Sequence, residues 1–242
     1  KINIVWLKGE NDIVFVSFDT LYFPEFLAQS IYSFFEEKFG ISASCIHLIA
    51  THTHSAPSIE SNNFGLICND YKDYLLNKVR CELLNIESDS FDCSLTYNII
   101  DEVGGNYIGR RKELSLPFYK KIFMSPNKKQ NIDNKIRVLN IYDHNNKLKG
   151  LIYNFSCHPV FAKNLVLSSD FPGMINHYIK SELCQFGIFL QGWCGDIRPN
   201  KCNKVYNPFK IKDFLKTLFM GEVFSTLTPE HLKSFSKSLY RR

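Results

Sequence analysis

His52 and His54 stand one residue apart in the stretch Ala50-Thr51-His52-Thr53-His54-Ser55-Ala56-Pro57-Ser58, directly after the apolar run Cys45–Ala50. Other polar groups of catalytic type occupy similar places. Asp19 closes the run Ile13–Phe18, His158 follows Leu151–Cys157, and Asp196 follows Gly187–Leu190. Imidazole nitrogen and carboxylate oxygen suit zinc, which at a catalytic site keeps about three protein ligands and an open position for water. Ligands of open α/β sheets bind outside the carboxyl ends of the strands. Several strand ends that each supply His or Asp are therefore the pattern of a metal site assembled from distant segments. On an extended segment His52 and His54 point to opposite sides, so one is expected on the metal and the other toward substrate. These residues also have ordinary structural readings. A histidine at a strand end often hydrogen-bonds to backbone, and Asp19 and Asp170 stand where a turn or a helix cap belongs.

The elements that must position these groups follow from periodicity. Ile2–Leu7 and Ile13–Phe18 flank a polar turn and read as a hairpin. Phe26, Leu27, Ile31, Phe34, Phe35 and Phe39 recur at helical spacing between Pro24 and Gly40. The strand Cys45–Ala50 then completes a βαβ unit and is expected to lie parallel to the strand ending at Asp19. Tyr71–Leu84 reads as a helix, Phe91–Ile100 as a strand, and 102–134 as a long irregular loop. Ile136–Tyr142 and Leu148–Phe155 form a second hairpin, Phe171–Leu183 a helix, Gly187–Leu190 a short buried strand, and 208–242 one or two helices. The expected fold class is α/β, with a mixed, partly parallel central β-sheet, flanking helices and β-hairpins, and the metal site at strand C-terminal ends. The 242 residues are expected to form one domain, with 203–242 as its helical C-terminal part.

Composition excludes several classes. Hydrophobic residues make up 45% and charged residues 22%, as in a soluble globular chain with a sizeable core. The net charge of +5 is scattered apart from Lys128-Lys129 and Arg241-Arg242, so no nucleic-acid-binding patch is expected. The 21 Phe and 12 Tyr residues fall at core spacing, and no segment announces a lipid channel. The eight cysteines form no CxxC pair and no disulfide framework, which favours a reducing, cytoplasmic compartment. The sequence as it stands shows neither a signal-peptide pattern nor a run long enough to span a bilayer, so neither is expected within it. Lys1 rather than Met opens the chain. Truncation at either end is therefore expected as one alternative, and secretion with it. Oligomeric state is not legible.

Four stretches, in order and spacing, carry a resemblance. They are Thr51-His52-Thr53-His54-Ser55-Ala56-Pro57, Gly109-Arg110-Arg111, Cys157-His158-Pro159-Val160 followed by Ser168-Ser169-Asp170, and Gly195-Asp196-Ile197-Arg198-Pro199-Asn200. The chain resembles the neutral/alkaline non-lysosomal ceramidase family in its N-terminal catalytic domain, where the corresponding motifs read THTHSGP, an Asn-Arg pair, HP and GDVSPN. The resemblance implies a zinc-dependent hydrolase of N-acyl amide bonds. It implies His52 and His158 as zinc ligands, His54 facing substrate, and Arg110 as a substrate-binding or charge-stabilising group. Two departures stand out. Arg198 occupies the place of the family's serine, and the family's later Glu and Tyr zinc ligands have no counterpart before Arg242.

The expected function is thus cleavage of a small-molecule or lipid N-acyl amide, by metal-activated water in place of the serine. Zn2+ is the expected cofactor, held by His52 and His158 and completed by Asp19, Asp170 or Asp196. His54, Arg110 and Asp196 are the expected catalytic groups. Arg198 and Arg111 are expected to bind an anionic part of the substrate. A non-catalytic ceramidase-like domain and a metal-dependent phosphoesterase are the alternatives.

Overall fold

Two mixed sheets carry the fold, and each contains one parallel pair. The computed structural model describes residues 1–59, 69–87, 90–101, 107–162, 166–204 and 221–242. β1 (Ile2–Leu7) and β2 (Ile13–Phe18) form the expected antiparallel hairpin. α1 (Glu25–Phe39) crosses over, and β3 (Ile46–Ala50) returns parallel to β2. α1 forms because Leu27, Ile31 and Phe35 recur every four residues and bury one face. It stops at Gly40, whose left-handed φ of 68° lets its N–H reach back to the carbonyls of Phe35 and Glu36. The buried face of α1 packs on Val14, Val16 and Phe18 of β2 and on Leu75, Val79 and Leu83 of α2 (Asn69–Leu84).

The other face of β2 turns toward the second sheet. Phe15, Val5 and Leu7 pack on Ile141, Ile152 and Ile188, and Ser17 Oγ donates to the Phe189 carbonyl at 3.1 Å. That sheet begins with β4 (Cys93–Ile100). Next in the chain come β5 (Ile108–Leu116) and β6 (Tyr119–Pro126), an antiparallel hairpin where an irregular loop was expected. The Arg, Lys and Glu residues of β5 and β6 break the apolar alternation by which a strand is recognised. β7 (Ile136–Asp143) and β8 (Leu148–Phe155) form the second expected hairpin, with β7 beside β4. α3 (Asp170–Tyr178), continued by a π-helical turn at Ile179–Leu183, leads into β9 (Phe186–Gln191), parallel to β8.

Beyond β9, one of the expected C-terminal helices forms at Pro229–Tyr240, and short strands that were not expected precede it. β10 (Ile197–Pro199) pairs with β5, and β11 (Cys202–Lys204) pairs with β12 (Glu222–Phe224). α4 (Pro229–Tyr240) follows, with Thr228 and His231 forming a reciprocal cap. Residues 205–220 lie outside the described ones. α4 closes the larger core through Leu232, Phe235 and Leu239, packed with Phe155, Phe161, Phe171 and Phe189. The mixed, partly parallel α/β architecture is the one the sequence predicts.

Gly192 closes the gap between the ends of β8 and β9. Its amide donates to the Phe155 carbonyl at 3.1 Å, and a Cβ there would stand 3.0 Å from both Cα and N of Ser156. Gly192→Ala is expected to lower stability by about 1–3 kcal/mol through overpacking against backbone. Thermal unfolding checks this; an unchanged midpoint would mean the strand ends are not held this closely.

Candidate metal centre

Three imidazoles meet just past the C-terminal ends of β3 and β8. The chain leaving β3 is pinned to the end of β2: Thr51 N donates to the Phe18 carbonyl at 2.9 Å and His52 N to the Thr20 carbonyl at 3.0 Å. His52 then adopts a left-handed φ of 65°. For a residue with a bulky side chain this costs about 1–2 kcal/mol and is typical of functional positions. The kink overturns the expectation that His52 and His54 point to opposite sides, because the segment is not extended there. Their ring centroids are 5.3 Å apart, and His158 lies 4.8 Å from His52 and 4.9 Å from His54. Ligand atoms of all three lie within 4.8 Å of one another, so the group could hold a metal ion.

The intervening hydroxyls hold this loop in place. Thr53 is fully buried, and its Oγ1 donates to the Ser168 carbonyl at 2.7 Å while accepting from Ser55 N at 3.3 Å. Ser168 N donates to the Ser55 carbonyl at 2.9 Å, and Ser55 Oγ to the Ala162 carbonyl at 3.3 Å. Threonine and serine between the histidines therefore staple one loop of the site to another.

Tautomers follow from the hydrogen bonds. His52 Nδ1 lies 2.8 Å from the Leu21 carbonyl, and His158 Nδ1 3.1 Å from the Cys194 carbonyl. A carbonyl only accepts, so both rings carry the proton on Nδ1 and leave Nε2 bare. An imidazole whose other nitrogen donates to a fixed oxygen is the usual form of a metal-ligating histidine. His54 differs. Its Nε2 lies 2.8 Å from His158 Nε2, so it carries the proton of that contact. The His158 lone pair that accepts this proton is the one a cation would use, so His54 would have to turn aside when metal binds. The residues present fit a nitrogen-rich zinc site.

Burial, aided by the neighbouring charges of His52, His54 and Arg111, pushes the His158 imidazole down to about 4. Burial and the charge of His52 also lower His54. Neutral imidazole is the form that binds metal. The sign for stability follows. His158 binds fewer protons in the folded state than in the unfolded one, so its contribution is present above about pH 6.5 and lost as pH falls through about 4. The metal-free chain is expected to lose more stability between pH 7 and 4 than its His158→Gln variant. Chemical denaturation at several pH values checks this, and parallel curves would contradict it.

No protein-family model and no curated protein matches the sequence. Solved structures do match in shape. A crystal structure of neutral ceramidase from Pseudomonas aeruginosa superposes with a TM-score of 0.69 at 16% identity, covering 96% of this chain and 36% of that one. A ceramidase complexed with C2 gives a TM-score of 0.65 at 18% identity, covering 90% of this chain and 38% of that one. The chain has a neutral ceramidase-like fold. It spans little more than a third of the length of these ceramidases.

Within this ceramidase-like fold the remaining candidates divide by position. Asp19 and Asp170 lie outside the three-histidine group. Asp19 accepts from Thr51 Oγ1 at 3.3 Å and ties the ends of β2 and β3, and burial raises its pKa. Asp170 accepts from Ala162 N at 2.7 Å on one oxygen and from Phe171 N at 2.8 Å on the other. Burial pushes its carboxyl up to about 6 against those hydrogen bonds. Arg110, on β5, lies 3.3 Å through Nε from Asp196 Oδ2, although that nitrogen is not aligned as a donor. Arg111 donates from its guanidinium to the Gly195 carbonyl, and its backbone N to the Asp196 carbonyl at 2.8 Å. Arg198, on β10, is buried.

The carbonyls of Leu21 and Cys194 complete the centre, and no side-chain pattern in the sequence announces them. The seven cysteines among the described residues are free thiols outside the histidine group. No helix among the described residues is long and apolar enough to cross a membrane.

Proposed function

We propose that the chain carries the zinc site of a hydrolase that cleaves an N-acyl amide bond, the type of bond its ceramidase-like fold suggests. The observation that carries this reading is the pair His52 and His158, each with Nδ1–H on a backbone carbonyl and Nε2 bare. When bound, zinc polarises an acyl carbonyl and lowers the pKa of coordinated water to about 7. His52 and His158 would hold the ion through Nε2. His54 is the exposed ring, and its proton sits on Nε2. It would serve the substrate side: its proton-free ring nitrogen would take a proton from the attacking water. The imidazolium so formed would give a proton to the amine as the C–N bond breaks, which returns His54 to its neutral form. Arg110 offers positive charge to the developing oxyanion, and Asp196 positions it through their ion pair.

A panel of short N-acyl amides, a short-chain ceramide among them, tests the reading on the zinc-loaded chain. Amide cleavage is expected, with His54→Ala reducing it by roughly 100-fold or more while zinc is retained. Hydrolysis of p-nitrophenyl phosphate without amide cleavage would replace the reading with a phosphoesterase. Zinc binding without turnover of either substrate would make the chain a binding module. That second reading is favoured by Arg198, which stands where the family it resembles carries serine.

A further inference from the structure

Arg198 is a buried cation with no anion paired to it among the described residues. Only 9% of it is exposed, and its Nε has no hydrogen-bond partner. Nη1 meets the thioether of Met124 at 3.6 Å, and the guanidinium carbon lies 5.1 Å from the centre of the Phe224 ring. Thioether sulfur is a weak acceptor, and an aromatic face offsets only part of a charge. No ion pair to Arg198 forms among the described residues, and the neighbouring Asp196 pairs with Arg110. Arg111 acts on Arg198 with the same sign, and both this charge and burial disfavour the cationic form. A guanidinium cannot escape by losing its proton. A buried charge of this kind is strongly disfavoured unless something binds it.

Its place ties it to the histidine cluster. Arg198 pairs with Gly109 across β10 and β5, one residue from Ile197, whose carbonyl receives the His158 N–H at 3.2 Å. Arg111 follows Gly109 by two residues on β5, and so stands on the face of that strand that Arg198 meets; it also binds the carbonyls of Gly195 and Asp196, next to the Cys194 carbonyl that fixes His158. Met124, which covers Arg198, is 43% exposed. Its flexible side chain can swing aside for a better acceptor.

We propose that Arg198 and Arg111 form a subsite for an oxyanion, a carboxylate or a phosphate, beside the histidine cluster. The subsite itself stands on the buried guanidinium. That the oxyanion belongs to a hydrolysed substrate rests on the hydrolase reading, and the substrate class is then an N-acyl compound bearing an acidic group, such as an N-acyl amino acid. Paired charge-assisted hydrogen bonds from a guanidinium recognise such a group with about tenfold or greater preference over a neutral isostere.

Two arms test this. In the first, the metal-stripped chain is titrated with inorganic phosphate, and separately with acetate, at constant ionic strength. The wild type is expected to show a saturable rise in unfolding temperature of about 2–4 °C. The rise should vanish in Arg198→Met, shrink in Arg111→Gln, and return in part in Arg198→Lys. An equal rise in Arg198→Met, or no saturable rise in the wild type with either anion, overturns the subsite. In the second arm, the zinc-loaded chain is given N-hexanoylglycine and its neutral N-hexanoylglycinamide. A preference of about tenfold for the carboxylate, lost in Arg198→Met, is expected. If neither amide is cleaved while the anion shift still depends on Arg198, the hydrolase reading fails and the subsite stands. If both are cleaved equally and no Arg198-dependent shift exists, the subsite fails and the hydrolase reading stands.

Discussion

His158→Ala, and separately His52→Ala, is expected to lower zinc affinity by at least about 100-fold, whereas His54→Ala lowers it by less than about tenfold. The asymmetry comes from the tautomers. His52 and His158 are each fixed by a backbone carbonyl on Nδ1, at 2.8 and 3.1 Å, so their Nε2 lone pairs are pre-oriented. Removing either deletes a ligand whose orientation the fold has already set. His54 has its Nε2 proton toward His158, so it must give up that contact before it can ligate. Competition titration against a chromophoric zinc chelator measures all three variants. Equal losses in all three would mean that His54 is a ligand of the same standing. Small losses in His52→Ala and His158→Ala would remove the metal centre.

Asp170→Ala is expected to destabilise the fold by about 3–5 kcal/mol. Its two carboxylate oxygens satisfy the N–H groups of Ala162 and Phe171, and Asp170 is only 2% exposed. Leaving each buried donor without a partner costs about 1–3 kcal/mol. Asp170 also sits at a φ of 54°, where alanine is strained by about 1 kcal/mol or more and aspartate is better tolerated. Asp170→Gly separates the two effects, because glycine keeps the backbone conformation without strain and still lacks the acceptor. It should be less damaging than Asp170→Ala by about 1 kcal/mol. Denaturant unfolding of both variants decides this. A loss below about 1 kcal/mol in Asp170→Ala would mean that water replaces the carboxylate, and that Asp170 is not what holds Ala162 and the start of α3.

Much of the scaffold is legible in the sequence, and the reason is local. α1 buries one face against one face of β2, so Val14, Val16, Leu27, Ile31 and Phe35 print their periodicity directly. The strand-end histidines are visible because polar rings interrupt apolar runs. The β5–β6 hairpin is not visible, since Lys120, Lys121 and Glu113 lie exposed on it and β10 holds its base from about 90 residues away in sequence. The convergence of His52 and His54 depends on one left-handed residue, and alternation alone predicts the opposite. The backbone carbonyls that set the tautomers carry no side-chain signature. Arginine is normally an exposed residue, so nothing in the sequence marks Arg198 as buried.

The metal content of the purified chain, measured by elemental mass spectrometry after preparation without chelators, tests the central claim most directly. About one zinc per chain is expected, falling to background in both His52→Ala and His158→Ala. A chain that holds no metal and takes up none when zinc is added would contradict the metal centre and the hydrolase built on it.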